Sequence, residues 1–280
     1  MLSLGLKNPL CRLLLATFVL AAPPALTQQQ QSAEIPLEAL LMRLQIRIWA
    51  YDRNVPDFFA DERVISSRTV THAGTTHNTT DSIFRLRRTT DPGVTPPYFI
   101  ESREVKAVDG RPTRGEAVIG PAIFSGAFSN ALLTVSMEGR SCFDYRVEPH
   151  GHLHHVPAIV VVYTPKPSAE DCPGSEPQSG RAWIDPQNFQ LQRIEMRIPN
   201  HHLDDGSRAL WTWSVDYSPV PLEGKIFWLP KTIISNADAN DGSAQWTFTA
   251  YYRNYHKTNV TSHIITNLDN NSPNQTQPSR

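Results

Sequence analysis

The sequence predicts an α+β fold: a large curved antiparallel β-sheet, an unclosed barrel, packed around one or two α-helices. Three observations carry this. One amphipathic helical pattern stands early, in "IPLEALLMRLQIRIWAYD". After it, segments of alternating apolar and polar residues follow one another, joined by turn signals such as Asp109-Gly110. The 23 prolines against 14 glycines favour short elements with stiff turns. Strands joined by hairpins after one helix predict a sheet with helices on one face.

In the helical segment Leu37, Leu40, Leu41, Leu44 and Ile48 recur at intervals of three and four and mark one apolar stripe. Pro36 suits a first helical position. The end of the helix is ambiguous, because "LQIRIW" also alternates with period two. "NVPDFFADERVISSRTV" turns at Pro56 and is expected to add a helical turn before an extended piece. "SIFRLRRT" alternates Phe84 and Leu86 with arginines, and "PYFIESREVKAVDGRP" reads as a strand ending in an Asp-Gly hairpin turn. The small and apolar residues of "GEAVIGPAIFSGAFSNALLTVSMEG" suggest a second short helix.

Strands resume at "SCFDYRVEP". "HVPAIVVVYTP" is apolar on both parities, as expected of a central strand covered on two sides. In "GRAWIDPQNFQLQRIEMRIP" the parity of Phe189 and Leu191 opposes that of Ile194, Met196 and Ile198, so a bulge near Arg193 is expected. "ALWTWSVDY", "GKIFWLPKTIIS" and "WTFTAYY" read as the following strands, and "TSHIIT" as a last edge strand.

The amino terminus has the order of a secretory signal peptide: Lys7 and Arg12, the apolar run "LLLATFVLAA", then small residues and prolines. The run is shorter than a membrane span of about twenty apolar residues. The expected organisation is a signal peptide at 1–27, a polar linker at 28–34, a single domain at 35–266 and a loose tail at 267–280, in a protein exported to the periplasm or beyond. Cys11 precedes the apolar run, so it is not placed as a lipoprotein attachment site. Removing Lys7 and Arg12 from the 26 basic residues leaves 24 against 27 acidic ones, a charge near −3. No basic excess points to nucleic acid. Cys142 and Cys172 remain as an even pair, which in an oxidising compartment suggests a disulfide, with two separate buried thiols as the alternative.

Chemistry-bearing motifs are sparse. There is no GxSxG elbow, phosphate-cradling GxxxxGK[ST] or HExxH helix. His150, His152 and His154 share a face if "EPHGHLHHVP" is extended, and three imidazoles can ligate zinc or copper. Gly151 and the flanking prolines argue instead for a polar hairpin tip. "NHHLDDG" adds His201, His202, Asp204 and Asp205 in another loop, and "DANDGS" has the wrong glycine spacing for a calcium loop. No cofactor is expected. The aromatics stand out: Trp211, Trp213, Val215 and Tyr217 stand at every second position of one strand, and Trp246 and Phe248 repeat the alternation in another, with Trp228 in a neighbouring strand. Trp211, Trp213, Val215, Trp246 and Phe248 are the candidate lining residues. They are either filled core or the wall of an apolar ligand site.

"NVPDFFADE", "ESREVKAVDGRP", "CFDYRV", "GRAWIDPQNFQLQRIEM" and "FWLPKTI" resemble landmarks of a group of exported proteins common in Acidobacteria. Their order, and "GxxWIDP" followed by a strand carrying "RIE", resemble the lipoprotein-carrier superfamily, the LolA/LolB-like fold. The likeness covers roughly residues 37–265. It implies an unclosed β-barrel wrapped around helices, with an apolar cavity that accepts acyl chains. The chain departs from the acidobacterial pattern at Phe59-Ala60, where a cysteine is common, and the histidine loop and cysteine pair extend the middle of the sheet. The leading functional expectation is a non-enzymatic protein that binds an acyl chain or other apolar ligand, with a lipid or lipidated protein as partner. A structural or protein-interaction module and a metal-dependent hydrolase using the histidine loops remain open.

Overall fold

A computed structural model describes residues 35–89, 98–115, 126–128, 131–167, 172, 176–203 and 205–258. The segments expected to form a signal peptide (1–27), a linker (28–34), a tail (267–280) and an edge strand (261–266) lie outside the described residues.

Helix α1, Leu37–Asn54, runs to its full length through the ambiguous "LQIRIW". Leu40, Leu41, Leu44, Ile48 and Tyr51 are buried together at helical spacing, so core packing decides for the helix. Gln45 is buried with them and donates to Glu138 Oε1 at 2.8 Å. At the other end Arg88 donates to the carbonyls of Asp52 and Val55, a cation where the helix dipole is negative.

The chain then forms β1 (Phe58–Val70), β2 (Gly74–Arg88), β3 (Phe99–Val108) and β4 (Arg111–Gly115), each pairing antiparallel with the next. The helical turn expected after Pro56 is absent. Phe58, Ala60, Glu62 and Val64 are buried at alternate positions, and β1 is paired on both sides, so the sheet claims those residues. Asp109 and Gly110 both take positive φ, +48° and +73°, as the tight hairpin between β3 and β4 requires.

Of the segment expected to hold a second short helix, 116–125 and 129–130 lie outside the described residues, and the described part forms two short 3-10 turns, Ala131–Val135 and Glu138–Ser141. β4 and β5 (Phe143–Glu148) are opposite edges of the sheet, and described residues between them pack on its inner face. Ala127, Phe128, Ala131 and Val135 are buried there in the same core as α1.

The small hairpin β6 (His152–Leu153) and β7 (Val156–Pro157) precedes β8 (Ile159–Pro165). β9 (Ser179–Ile184), β10 (Leu191–His202), β11 (Arg208–Leu222), β12 (Lys225–Ala239) and β13 (Ala244–Lys257) follow as a meander. Among the described residues the sheet order is β4-β3-β2-β1-β13-β12-β11-β10-β9-β8-β5, eleven strands not closed into a barrel. The α+β half-barrel is therefore the observed architecture. Register between β9 and β10 shifts between Leu191 and Arg193, the irregularity that the parity change demands. β8 lies next to the edge and not at the centre. Both its faces are still covered: Val161 and Tyr163 face the core, while Val160 is buried beside Gly151, next to the β6–β7 hairpin. Tyr163 crosses Gly180 to donate to the Glu195 carbonyl at 2.6 Å, and a Cβ at Gly180 would collide with both.

Cys142 and Cys172 are bonded, with a sequence separation of 30. Constraint of the unfolded chain by a loop of that length is worth about 3–4 kcal/mol. Replacing both cysteines by serine is expected to lower unfolding stability by up to that amount, with a steeper urea dependence because the uncrosslinked chain exposes more surface on unfolding. A variant as stable as the wild type would contradict a structural role.

Candidate apolar ligand site

Strand register arranges the inner face in rows. One row holds Ile198, Trp211, Ala237, Trp246 and Arg68; the next holds Met196, Trp213, Ser235 and Phe248; the next holds Ile194, Val215, Ile233, Ala250 and Val64. All five residues singled out from the sequence thus share one face. Trp213, Val215 and Phe248 are buried in the main core, and Trp211 and Trp246 are partly buried around Leu203, Ala209 and Ala237. Ala237 and Ser235 are the small residues that make room between the large rings. Trp211 Nε1 donates to Ser235 Oγ at 2.7 Å, and the His201 ring packs on Trp211 with centroids 4.4 Å apart. His201 in turn pairs with Glu176 at 2.5 Å. Arg68 sits over Trp246.

Trp213 also borders an open cleft of about 600 Å³, shared with Val162, Arg193, Glu195, Arg197 and Asn236. A second open volume lies beside α1. A cavity of about 460 Å³ is bounded on one side by Leu44, Arg47, Ile48, Ala50, Tyr51 and Asn54 of α1. Leu132 and Val135 of the first 3-10 turn, and Phe189 to Leu191 at the entry to β10, form further walls. Tyr217 of β11 and Lys225 to Trp228 of β12 complete it. The five aromatic-face residues named from sequence are not among its lining residues. The volume falls within the roughly 300–1,000 Å³ of small-molecule sites.

Local chemistry explains these walls. Asp185 Oδ1 accepts from the backbone N–H groups of Gln187 and Asn188, at 2.8 and 3.3 Å, which tightens the turn after β9. Phe189 leaves that turn with φ of +57°, and Arg43 covers its ring at 4.5 Å. The β11–β12 hairpin turns at Glu223-Gly224, both with positive φ, and brings Lys225 to the helix end, where its ammonium donates to Asn54 Oδ1 at 3.4 Å. Arg47 and Lys225 are both exposed, so the rim is cationic and the walls are mainly apolar.

Two tyrosine hydroxyls lie deep. Tyr217 donates to the Ala127 carbonyl at 3.1 Å, and Tyr51 Oη is buried without a hydrogen-bond partner among the described residues. Burial, then the neighbouring Tyr217 and Glu101, pushes the Tyr51 hydroxyl well above its ordinary range. Both phenols therefore stay protonated: Tyr217 donates to the Ala127 carbonyl, and the Tyr51 hydroxyl keeps a proton to donate. Glu101 accepts from the backbone N–H groups of Gly126 and Phe128 at 3.0 and 3.3 Å and so ties those residues to β3. Arg103, Glu62 and Tyr252 form a second buried cluster: Arg103 Nε donates to Glu62 at 2.8 Å and Tyr252 Oη to the same carboxylate at 2.6 Å.

The histidine loop stands apart from the cavity. His150, His154 and His155 take positive φ in turns around β6 and β7, and His152 Nδ1 lies 2.8 Å from the His150 carbonyl. The hairpin is fixed by Trp183 Nε1 donating to the His152 carbonyl at 3.1 Å. Among the described residues, no group of three His, Cys, Asp or Glu side chains is placed to hold a metal ion.

No family model and no curated protein matches the chain. Among solved structures, it is similar to a LolA superfamily protein from Nitrosomonas europaea, with 11% identity over 78% of this chain and 94% of the other, at a TM-score of 0.35. A DUF1329 family protein from Desulfovibrio piger shares 10% identity over 80% of this chain and 94% of its own, at 0.36. A putative outer membrane lipoprotein-sorting protein domain from Vibrio parahaemolyticus shares 10% identity over 76% and 89%, at 0.35. These neighbours are of the kind the sequence landmarks resemble. At such identities and TM-scores no property of the cavity rests on the likeness.

Burial pushes the Glu101 carboxyl above the usual carboxylate range, against the pull of the Gly126 N–H and of Arg103. The folded state therefore holds this proton more tightly than the unfolded chain. Its contribution to stability is full below the ordinary carboxylate pKa and is lost as pH rises through the raised value. Glu101→Gln removes that titration. Urea titrations of both proteins from acid to neutral pH are expected to show wild-type stability falling relative to the variant as pH rises. A constant difference would contradict the assignment.

Proposed function

We propose that this is an exported, non-enzymatic protein that carries an acyl chain or other apolar ligand in the cavity beside α1. The observation that carries the reading is the combination of apolar walls from four separate parts of the chain with a rim bearing Arg47 and Lys225. Apolar walls favour removal of a hydrocarbon chain from water at roughly 25 cal/mol per Å² buried. The two cations suit a ligand with an anionic end, while Tyr51 and Tyr217 offer hydroxyls to a polar group that enters further.

Export is supported by the short apolar run behind Lys7 and Arg12 and by the Cys142–Cys172 disulfide. Among the described residues no helix is long and apolar enough to cross a membrane. A lipid, or the lipid moiety of a modified protein, is the partner this chemistry fits. In this reading Trp211, Trp213, Val215, Trp246 and Phe248 form the packed wall that holds the sheet rigid behind the site, and the cavity residues make the ligand contacts.

Leu132→Trp combined with Ala50→Trp is expected to weaken uptake of a fluorescent fatty acid by at least about tenfold, the effect of losing about 1.4 kcal/mol of binding, without lowering the melting temperature. Trp213→Ala is expected to do the reverse, costing about 3–5 kcal/mol of stability as a core truncation while the folded fraction still binds. Wild-type affinity in the filled variant would contradict the proposal.

A further inference from the structure

The outer side of α1 carries a feature that the fold does not use. Met42, Ile46 and Trp49 are 44%, 52% and 49% exposed, although a helix in a globular domain normally turns such residues inward. At about 100° per residue they fall in one line along the helix, opposite Leu41, Leu44 and Ile48. Arg43, Arg47 and Arg53 are exposed on the same helix beside this ridge. Of its two carboxylates, Glu38 pairs with Arg140 at 2.7 Å and Asp52 is half-buried. The exposed side of the helix beside the ridge thus carries more positive than negative charge.

The cavity mouth is continuous with this surface. Arg47, Ala50 and Asn54 of α1 form one lip, and Lys225 with Ile226, 69% exposed, forms the other. An apolar line with a tryptophan, flanked by arginines, has the composition of a helix that lies in a membrane interface.

The geometry points to α1 as a docking surface for an anionic lipid membrane. Met42, Ile46 and Trp49 enter the acyl boundary, Arg43 and Arg53 meet lipid phosphates, and the cavity mouth rests at the bilayer edge where a ligand can pass. The inference rests on the ligand-cavity reading for its purpose, and its test is separate from that reading.

The chain purified from the periplasm of an exporting host is floated with phosphatidylcholine vesicles, with and without phosphatidylglycerol, at low and high salt. The same preparations are assayed for fluorescent fatty-acid uptake from solution. The variant Met42→Ser/Ile46→Ser/Trp49→Ser alters exposed residues outside the cavity lining. The expected result is binding to the anionic vesicles, weakened by salt, that falls at least about tenfold in the variant while uptake from solution is unchanged. Absence of wild-type vesicle binding overturns the docking surface, and retained fatty-acid uptake would leave the cavity reading standing. Equal vesicle binding by the variant also overturns it. So does a self-association of the wild type, seen by sedimentation and abolished in the variant, because the ridge would then hold a second copy of the chain.

Discussion

The antiparallel pairing of β1 with β13 sets everything else. It joins the two ends of the folded chain in the middle of the sheet, from Phe58 opposite Lys257 to Val70 opposite Ala244. Once those strands are neighbours, the remaining strands extend outward as two meanders, and β4 and β5 become the edges. Ala127, Phe128, Ala131 and Val135, between them in the chain, are buried on the inner face. The buried Glu62 carboxylate reinforces the junction, since it accepts from Tyr252 of β13 and from Arg103 of β3, whose guanidinium passes over Phe84 of β2. One charged cluster thus ties four adjacent strands. Losing one partner would leave a buried charge uncompensated, which costs far more than the pair contributes.

The cavity follows from that topology. The inner face is covered by α1 and by the residues around Phe128 and Val135, and these are short, differently shaped elements under a long sheet. Where the sheet rows carry Trp213, Phe248 and the aliphatic rows beside them, the interface closes. Towards the carboxyl end of α1, Phe189, Tyr217 and Phe227 line its margin, and the covering elements do not reach far enough to fill the space. The same helix end is negative by its dipole, and Arg88, Arg53 and Lys225 collect around it. A cationic rim is therefore partly a consequence of where the helix stops.

Local patterns were legible in the sequence and long-range ones were not. Alternation of Trp211, Trp213 and Val215 shows that they share a face, and register confirms it, because side-chain direction in a strand is a local property. The parity break before Ile194 likewise marks a real irregularity, and an even cysteine count marks a real bond. The position of β8 was misread because Val160 is covered by a hairpin folding back onto its outer side, which no alternation pattern encodes. The segment after Pro56 suggests a helical turn from sequence because short-range signals cannot show that β1 is flanked by two strands. The cavity lining was the least legible part. It is what remains between residues near positions 50, 132, 190 and 226, and no window of sequence contains more than one of those segments. Trp228 and Tyr217 were visible as aromatics, but nothing in their spacing distinguishes a wall from a core.

Native mass spectrometry of the protein, purified without detergent from an exporting host, addresses the cavity claim most directly. The account predicts a population carrying one non-covalent mass in the range of a lipid, released on mild activation to leave the oxidised chain, and restored when the stripped protein is incubated with a long-chain fatty acid. A bare chain both as purified and after incubation would contradict it, and the space beside α1 would then be a packing gap without a ligand.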